Sequence, residues 1–179
     1  EQRRRNWQRS HQRLRVGYLS PDFRGHSVGV AFMHLLDAHG SDLEWRGYSL
    51  SPRDDDGITA HLRQRFDAFC DLSGQDDGEA AATIHADEID ILVDLAGHTR
   101  GARLGILAHE PAPVQAHFLG YGFTLGADYV PYLITDETTF PPSEAAFCSE
   151  ALVYLPEHSL PAAQPPIAVE TPTRAQAGL

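Results

Sequence analysis

Apolar and polar positions along this chain follow two alternating periods. RVGYLS (15–20), LEWRGYSL (43–50), AFCDL (68–72), IDILVDLAG (89–97), VQAHFLGY (114–121), YLITD (132–136) and ALVYLP (151–156) are short apolar runs with β-branched and aromatic residues. Each predicts a strand. Between them lie stretches with helical spacing. Val28, Phe32, Leu35 and Leu36 fall on one face of a helix predicted from Val28 to His39. Ile58–Phe66, the Ala-rich Gly78–Ala86 and the short Arg103–His109, closed by Pro111, predict three more. SPRDDDG (51–57) reads as a polar turn. Nearly every residue of 89–97 except its acids is apolar, as a central strand covered on both faces requires.

Strands alternating with helices imply parallel pairing through right-handed crossovers, hence an α/β, Rossmann-like, doubly wound and mainly parallel sheet. In such sheets ligands bind beyond the carboxyl ends of the strands, where strand order reverses. With the order 3-2-1-4-5, the first and fourth strands flank the reversal. The first ends in Asp22-Phe-Arg-Gly-His26 and the fourth in Asp94-Leu-Ala-Gly-His98. Both are D-x-x-G-H, so two loops deliver the same residue types to one crevice. His26 near a helix N-terminus is expected neutral, because the positive end of the helix dipole disfavours imidazolium. Ser27 is placed to cap that helix, and Asp22 to orient the ring or hold an acceptor hydroxyl. Gly25 and Gly97 supply tight turns. His34, His39, His61, His109 and His117 are assigned to helices or strands with no acid at ligand spacing, and His85 is a weaker crevice candidate. A metal site from Asp22, His26, Asp94 and His98 is chemically conceivable by ligand type.

Composition narrows the function. The 179 residues contain no Lys, which excludes Schiff-base chemistry and a P-loop. Six Arg stand in the first 15 residues with one Glu, whereas the remainder has eight Arg against 24 acids. An acidic body repels phosphate backbones, so no nucleic-acid surface is expected. The basic start reads as a helix or linker (1–13) packed on a preceding segment. No apolar run is long enough to span a membrane, and the first residues lack the apolar core of a signal peptide. Cys70, expected to be a buried small hydrophobe, and Cys148 match no metal motif; a reducing, cytoplasmic setting follows. From Ser159 the chain turns Pro-rich and reads as a linker (159–179). The start without Met suggests a piece of something longer.

RVGYLSPDFRGHSVG, DILVDLAGHTRGAR, EPAPVQAHFLGY and DYVPYLITD, in this order, resemble the catalytic region of O-GlcNAc transferases, in the form of a bacterial homologue. The resemblance implies the N-terminal lobe (14–158) of a GT-B glycosyltransferase. It also implies a following C-terminal lobe and a preceding tetratricopeptide-repeat region. The implied reaction moves N-acetylglucosamine from UDP-GlcNAc to Ser or Thr of an acceptor protein, with inversion, without a metal and without any other cofactor. His26 matches the family's active-site His, and Asp22 the Asp of that motif. Which of them takes the proton, or whether a donor phosphate oxygen does, is left open. Leu119, Gly120 and Tyr121 match a segment lining the sugar pocket, with Gly97 and His98 beside it. The family's GYPGT(S/T)G is here Gly120-Tyr-Gly-Phe-Thr-Leu-Gly126. Gly122 and Phe123 replace Pro and Gly, and Leu125 a hydroxyl. The departure bears on the pocket wall and the acceptor. Relatives using GDP-fucose, or UDP-glucose with an Asn acceptor, and a non-catalytic α/β binding module, are the alternatives.

Overall fold

The computed structural model describes residues 10–52, 56–161 and 170–178. The segment 1–9 of the expected basic helix, and 162–169 of the linker, lie outside the described residues. Seven strands form one sheet: β1 (Leu14–Ser20), β2 (Leu43–Ser49), β3 (Ala68–Asp71), β4 (Ile91–Asp94), β5 (Val114–His117), β6 (Tyr132–Thr135) and β7 (Ala151–Tyr154). Their order is β3-β2-β1-β4-β5-β6-β7, and every pairing is parallel. The expected reversal between β1 and β4 is present, with Leu19 in register with Asp94. Parallel pairing forces each connection to cross a face of the sheet. Helices α1 (Ser27–Asp37), α2 (Gly57–Arg65), α3 (Asp77–Ala86) and α4 (Leu104–Ala108) make the first crossings. A short 3₁₀ helix at Pro142–Phe147 leads into β7 and was not legible in the sequence.

Two cores result. On one face α1 and α2 bury Phe32, Leu36, Leu62 and Phe66 against Tyr18, Val93 and Leu95. On the other, α3 and α4 bury Ala80, Ile84, Ile106 and Leu107 against Leu19, Tyr48 and Leu92. Each fully buried Leu or Phe contributes about 1.5–3 kcal/mol. Leu19 and Leu92 are wholly buried, which is why the central strands read as unbroken apolar runs. Cys70 is only partly buried, because β3 is an edge strand with a neighbour on one side. No helix among the described residues is long and apolar enough to cross a membrane.

Two strands end earlier than the apolar pattern suggests. β4 stops at Asp94 and β5 at His117. The apolar residues beyond them, Leu95, Ala96 and Phe118, are buried in loops that fold back over the sheet edge. Those loops build the crevice.

Candidate functional site

The loop after β1 starts as a buried turn. Ser20 Oγ accepts the N–H of Asp22, and the Asp22 residue is only 5% exposed. The chain then reaches His26, which is itself the N-cap of α1, in place of the expected Ser27. Its φ and ψ of −133° and 155° are extended, and its ring Nδ1 accepts the N–H of Val28 at 3.3 Å. One Asp22 carboxylate oxygen lies 3.6 Å from the same Nδ1, and the other lies 3.3 Å from Arg24 Nη2. A cap satisfies one of the donors that every helix start leaves unpaired. The His26 side chain is nonetheless 42% exposed. A contact so wetted stabilises the fold little.

Asp56, from the segment read as a polar turn, and Thr59, from the predicted helix after it, hold this loop. Asp56 caps α2 by accepting Thr59 N–H at 2.7 Å, and its other oxygen accepts the N–H of Gly25. Thr59 Oγ1 donates to the Phe23 carbonyl at 2.9 Å. Gly25 is required for space and not for a positive φ: a Cβ would lie 2.9 Å from Asp56 Oδ2. The sequence signal was available, since Asp56-Gly-Ile-Thr59 is a cap followed by a helix.

The loop after β4 is built differently, despite the matching letters. Asp94 is 1% exposed, and its Oδ2 accepts Gly97 N–H at 2.6 Å. Burial pushes its carboxyl up to about 6. Asp94 therefore shapes the turn, whereas Asp22 lies beside the His26 ring. Gly97 has φ +58°, and a Cβ there would meet Tyr121 at 2.5 Å. His98 donates from Nε2 to the Leu125 carbonyl at 3.0 Å. In the neutral ring this leaves Nδ1 as a hydrogen-bond acceptor. Among the described residues no three His, Cys, Asp or Glu side chains cluster as a metal centre would require. Asp22, His26, Asp94 and His98 thus do not close around an ion.

The third loop carries the strain. Gly120 N–H bonds back to the Phe118 carbonyl at 2.9 Å across Leu119, whose φ is +71°. This is a γ-turn with a left-handed central residue, a rare conformation that costs of order 1–3 kcal/mol. Gly120 lies so close to the β4 loop that a Cβ would fall 2.0 Å from the Leu95 carbonyl and 3.4 Å from a Val28 methyl. A Cβ on Gly101 would meet Pro21 at 3.1 Å. These approaches, with Gly97 against Tyr121, bring all three loops together. His26, Asp22, Gly97, His98, Leu119, Gly120 and Tyr121 accordingly share one rim.

A buried clamp beneath the third loop was missed. Glu150, just before β7, accepts Leu125 N–H and Thr124 Oγ1, each at 2.6 Å. Its side chain has no exposed surface. Burial alone would raise its carboxyl, but these donors hold it down to about 2. His117 lies beside it, Nε2 to Oε1 3.7 Å. Burial pushes that imidazole down to about 4 against the pull of Glu150 and the Tyr121 backbone.

The remaining histidines divide. His61 does pair with an acid, Asp37, at 2.9 Å across α1 and α2. His39 stacks on Trp45. His85 stands in the last turn of α3, where the chain is about to enter β4, so it lies at the opposite end of the sheet from the crevice. A cleft of about 470 Å³ along the β3 edge is lined by Arg63, Phe66, Asp67, Ala68, Phe69 and Asp71 and contains none of the rim residues.

A doubly wound parallel sheet with polar groups on the rim of its switch point defines a Rossmann-like α/β lobe of a ligand-binding enzyme. The model of the family described as glycosyl transferase family 41 matches residues 2–160, and the chain belongs to that family. A UDP-N-acetylglucosamine–peptide N-acetylglucosaminyltransferase of Caenorhabditis elegans is 40% identical over 147 residues, 81% of this chain and 13% of the relative. A protein of Arabidopsis thaliana named as a probable transferase of the same kind, SEC, is 37% identical over 146 residues, 81% of this chain and 15% of the relative. A mutant of the O-GlcNAc transferase of Thermobaculum terrenum superposes with a TM-score of 0.82 at 38% identity, over 87% of this chain and 30% of that one. The chain thus spans under a third of the length of these relatives.

Proposed function

We propose that this chain is the N-terminal catalytic lobe of an inverting, metal-independent glycosyltransferase of GT-B architecture. It transfers N-acetylglucosamine from UDP-GlcNAc to Ser or Thr hydroxyls of proteins. The observation that carries this is the convergence of the His26, His98 and Leu119 loops on one rim in a family 41 lobe. The acceptor oxygen attacks the anomeric carbon in line, and UDP leaves with the bonding electron pair. The acceptor proton passes to His26, to Asp22 or to a donor phosphate oxygen. General-base assistance of this kind is worth about 10²–10⁴ in rate. Leu119, Gly120, Tyr121, Gly97 and His98 line the sugar side. A C-terminal lobe supplies the uridine and pyrophosphate contacts, a tetratricopeptide-repeat region precedes the lobe, and the setting is cytoplasmic. The absence of Lys and of any glycine-rich phosphate loop supports a division of labour in which this lobe holds sugar and acceptor.

The competing donor specificity rests on Gly120–Gly126, where Phe123 and Leu125 depart from the resembled family. A donor panel decides. The complete polypeptide is incubated with UDP-GlcNAc, UDP-glucose or GDP-fucose and a Ser/Thr peptide, with and without EDTA. Transfer from UDP-GlcNAc alone, unaffected by EDTA, is expected. Transfer from another donor replaces the donor assignment. Stoichiometric metal with loss of activity in EDTA overturns metal independence. No turnover of any donor favours a non-catalytic binding module.

A further inference from the structure

We infer that Phe123 is a specificity residue that receives an apolar side chain of the acceptor peptide, within about three residues of the modified hydroxyl. This rests on the transferase assignment. Phe123 is 64% exposed and stands two residues after the rim residue Tyr121. It packs edge-on against Tyr121, centroids 5.9 Å apart at 72°. Tyr121 in turn packs edge-on against His98, 5.3 Å apart at 87°. The three rings form a ladder rising out of the crevice. The two steps place Phe123 no farther than about 11 Å from the His98 ring, and an extended peptide covers about 3.3–3.6 Å per residue. An acceptor hydroxyl attacking a sugar held beside His98 therefore brings a residue about three positions away within reach of Phe123.

The backbone that carries the ring is held on its C-terminal side. Thr124 and Leu125, the next two residues, are both bound by the buried carboxylate of Glu150. Gly122 precedes it with no side chain to cover its other face. A ring on anchored backbone loses less entropy on contact, which favours recognition by an aromatic side chain. Its apolar face selects aromatic, aliphatic or Pro side chains and gives nothing to Asp or Glu.

The test uses the complete polypeptide and a set of Ser-acceptor peptides. They differ at one position, from three residues before to three after the Ser, carrying Phe, Leu, Pro, Ser or Asp. Wild type is expected to favour an apolar residue at one position by about three- to tenfold in kcat/KM. Phe123→Gly should narrow that ratio to within about twofold, while Phe123→Leu retains most of it. Thermal unfolding of each variant checks that the fold persists. An unchanged ratio in Phe123→Gly, or no preference in wild type, overturns the inference while leaving the transferase assignment intact. A raised KM for UDP-GlcNAc with an unchanged ratio puts the ring on the sugar and overturns it too. Absence of any transfer by wild type overturns both.

Discussion

Nδ1 of His26 stands 3.6 Å from a carboxylate oxygen of Asp22. The same nitrogen accepts a backbone N–H from Val28 at 3.3 Å. Accepting there places the proton of a neutral ring on Nε2; donating to Asp22 bares Nε2 to take a proton. At 3.6 Å Asp22 makes no hydrogen bond to the ring, so base chemistry at Nε2 is expected to need that contact to shorten and displace the Val28 cap. His26→Ala is expected to lower transfer by about 10²–10⁴ while UDP affinity persists. Asp22→Asn should lower it as well, and the double variant should be no worse than the poorer single, because residues acting as a unit are not additive. Losses that multiply in steady-state assays would show that the two act separately.

Asp56 joins the start of α2 to the backbone that carries His26. Asp56→Ala removes both hydrogen bonds, so a lower Tm is expected together with a fall in kcat of about tenfold, as a misplaced reacting group produces. Asp56→Asn keeps a capping oxygen and should recover most of the Tm. A Tm loss in the alanine variant with kcat untouched would confine Asp56 to a structural role.

Gly120 has a rigid neighbour. The carbonyl of Leu95 would lie 2.0 Å from an added Cβ, and main chain cannot rotate away as a side chain can. Gly120→Ala should therefore cost about 2 kcal/mol or more in urea unfolding. Gly126→Ala is the useful contrast. Nothing lies within 4 Å of a Cβ there, so only its φ of +66° is penalised and the loss should be smaller.

Two buried groups oppose each other in mild acid. Asp94 is raised from 3.8 to about 6, so its contribution to stability is full below 3.8 and is lost as pH rises through 6. His117 is lowered from 6.5 to about 4, so its contribution is full above 6.5 and is lost as pH falls toward 4. Between pH 4 and 6 the Asp94 and His117 slopes nearly cancel, and His39, which burial also pushes down to about 4, is left to lower stability as pH falls. Glu150, held at about 2 against an ordinary 4.5, then loses its contribution below 4.5. Asp136, drawn well below the carboxylate range by the Ser159 hydroxyl and Thr139 N–H, acts in the same direction. Denaturation midpoints should fall gently from pH 6 to 4.5 through His39, and more steeply below that. Asp94→Asn keeps an acceptor for Gly97 but removes the opposition. Its stability should decline more steeply from pH 6.5, by at most about 1.4 kcal/mol per pH unit beyond the parent's decline. Parallel profiles for the two proteins would refute the opposition.

The sheet was legible because its central strands are buried on both faces and their apolar residues say so. The reversal between β1 and β4 followed from the chain order of strands and helices, and it located the rim. What the pattern could not give was where a strand stops. Leu95 and Phe118 are as apolar as the residues inside the strands, yet they bury themselves in turns. Equal letters also misled: Asp22 faces His26, while Asp94 is spent on the N–H of Gly97. Glu150, and the Gly25 partner of Asp56, escaped because each contact reaches backbone far away in the chain, 25 residues in one case and 31 in the other. Single-sequence periodicity carries no record of such partners. The positive φ of Leu119 was equally silent, since Leu has no preference that announces it.

Glu150 belongs to the approach to the last strand, yet it fastens Thr124 and Leu125. During synthesis the β1–β4 floor and the His26 loop leave the ribosome well before their opposite wall acquires its fastening. A nascent chain released near residue 140 would thus own a Rossmann-like core and an unfinished mouth. Limited proteolysis of such a truncation should cut within 119–126, where the longer chain resists.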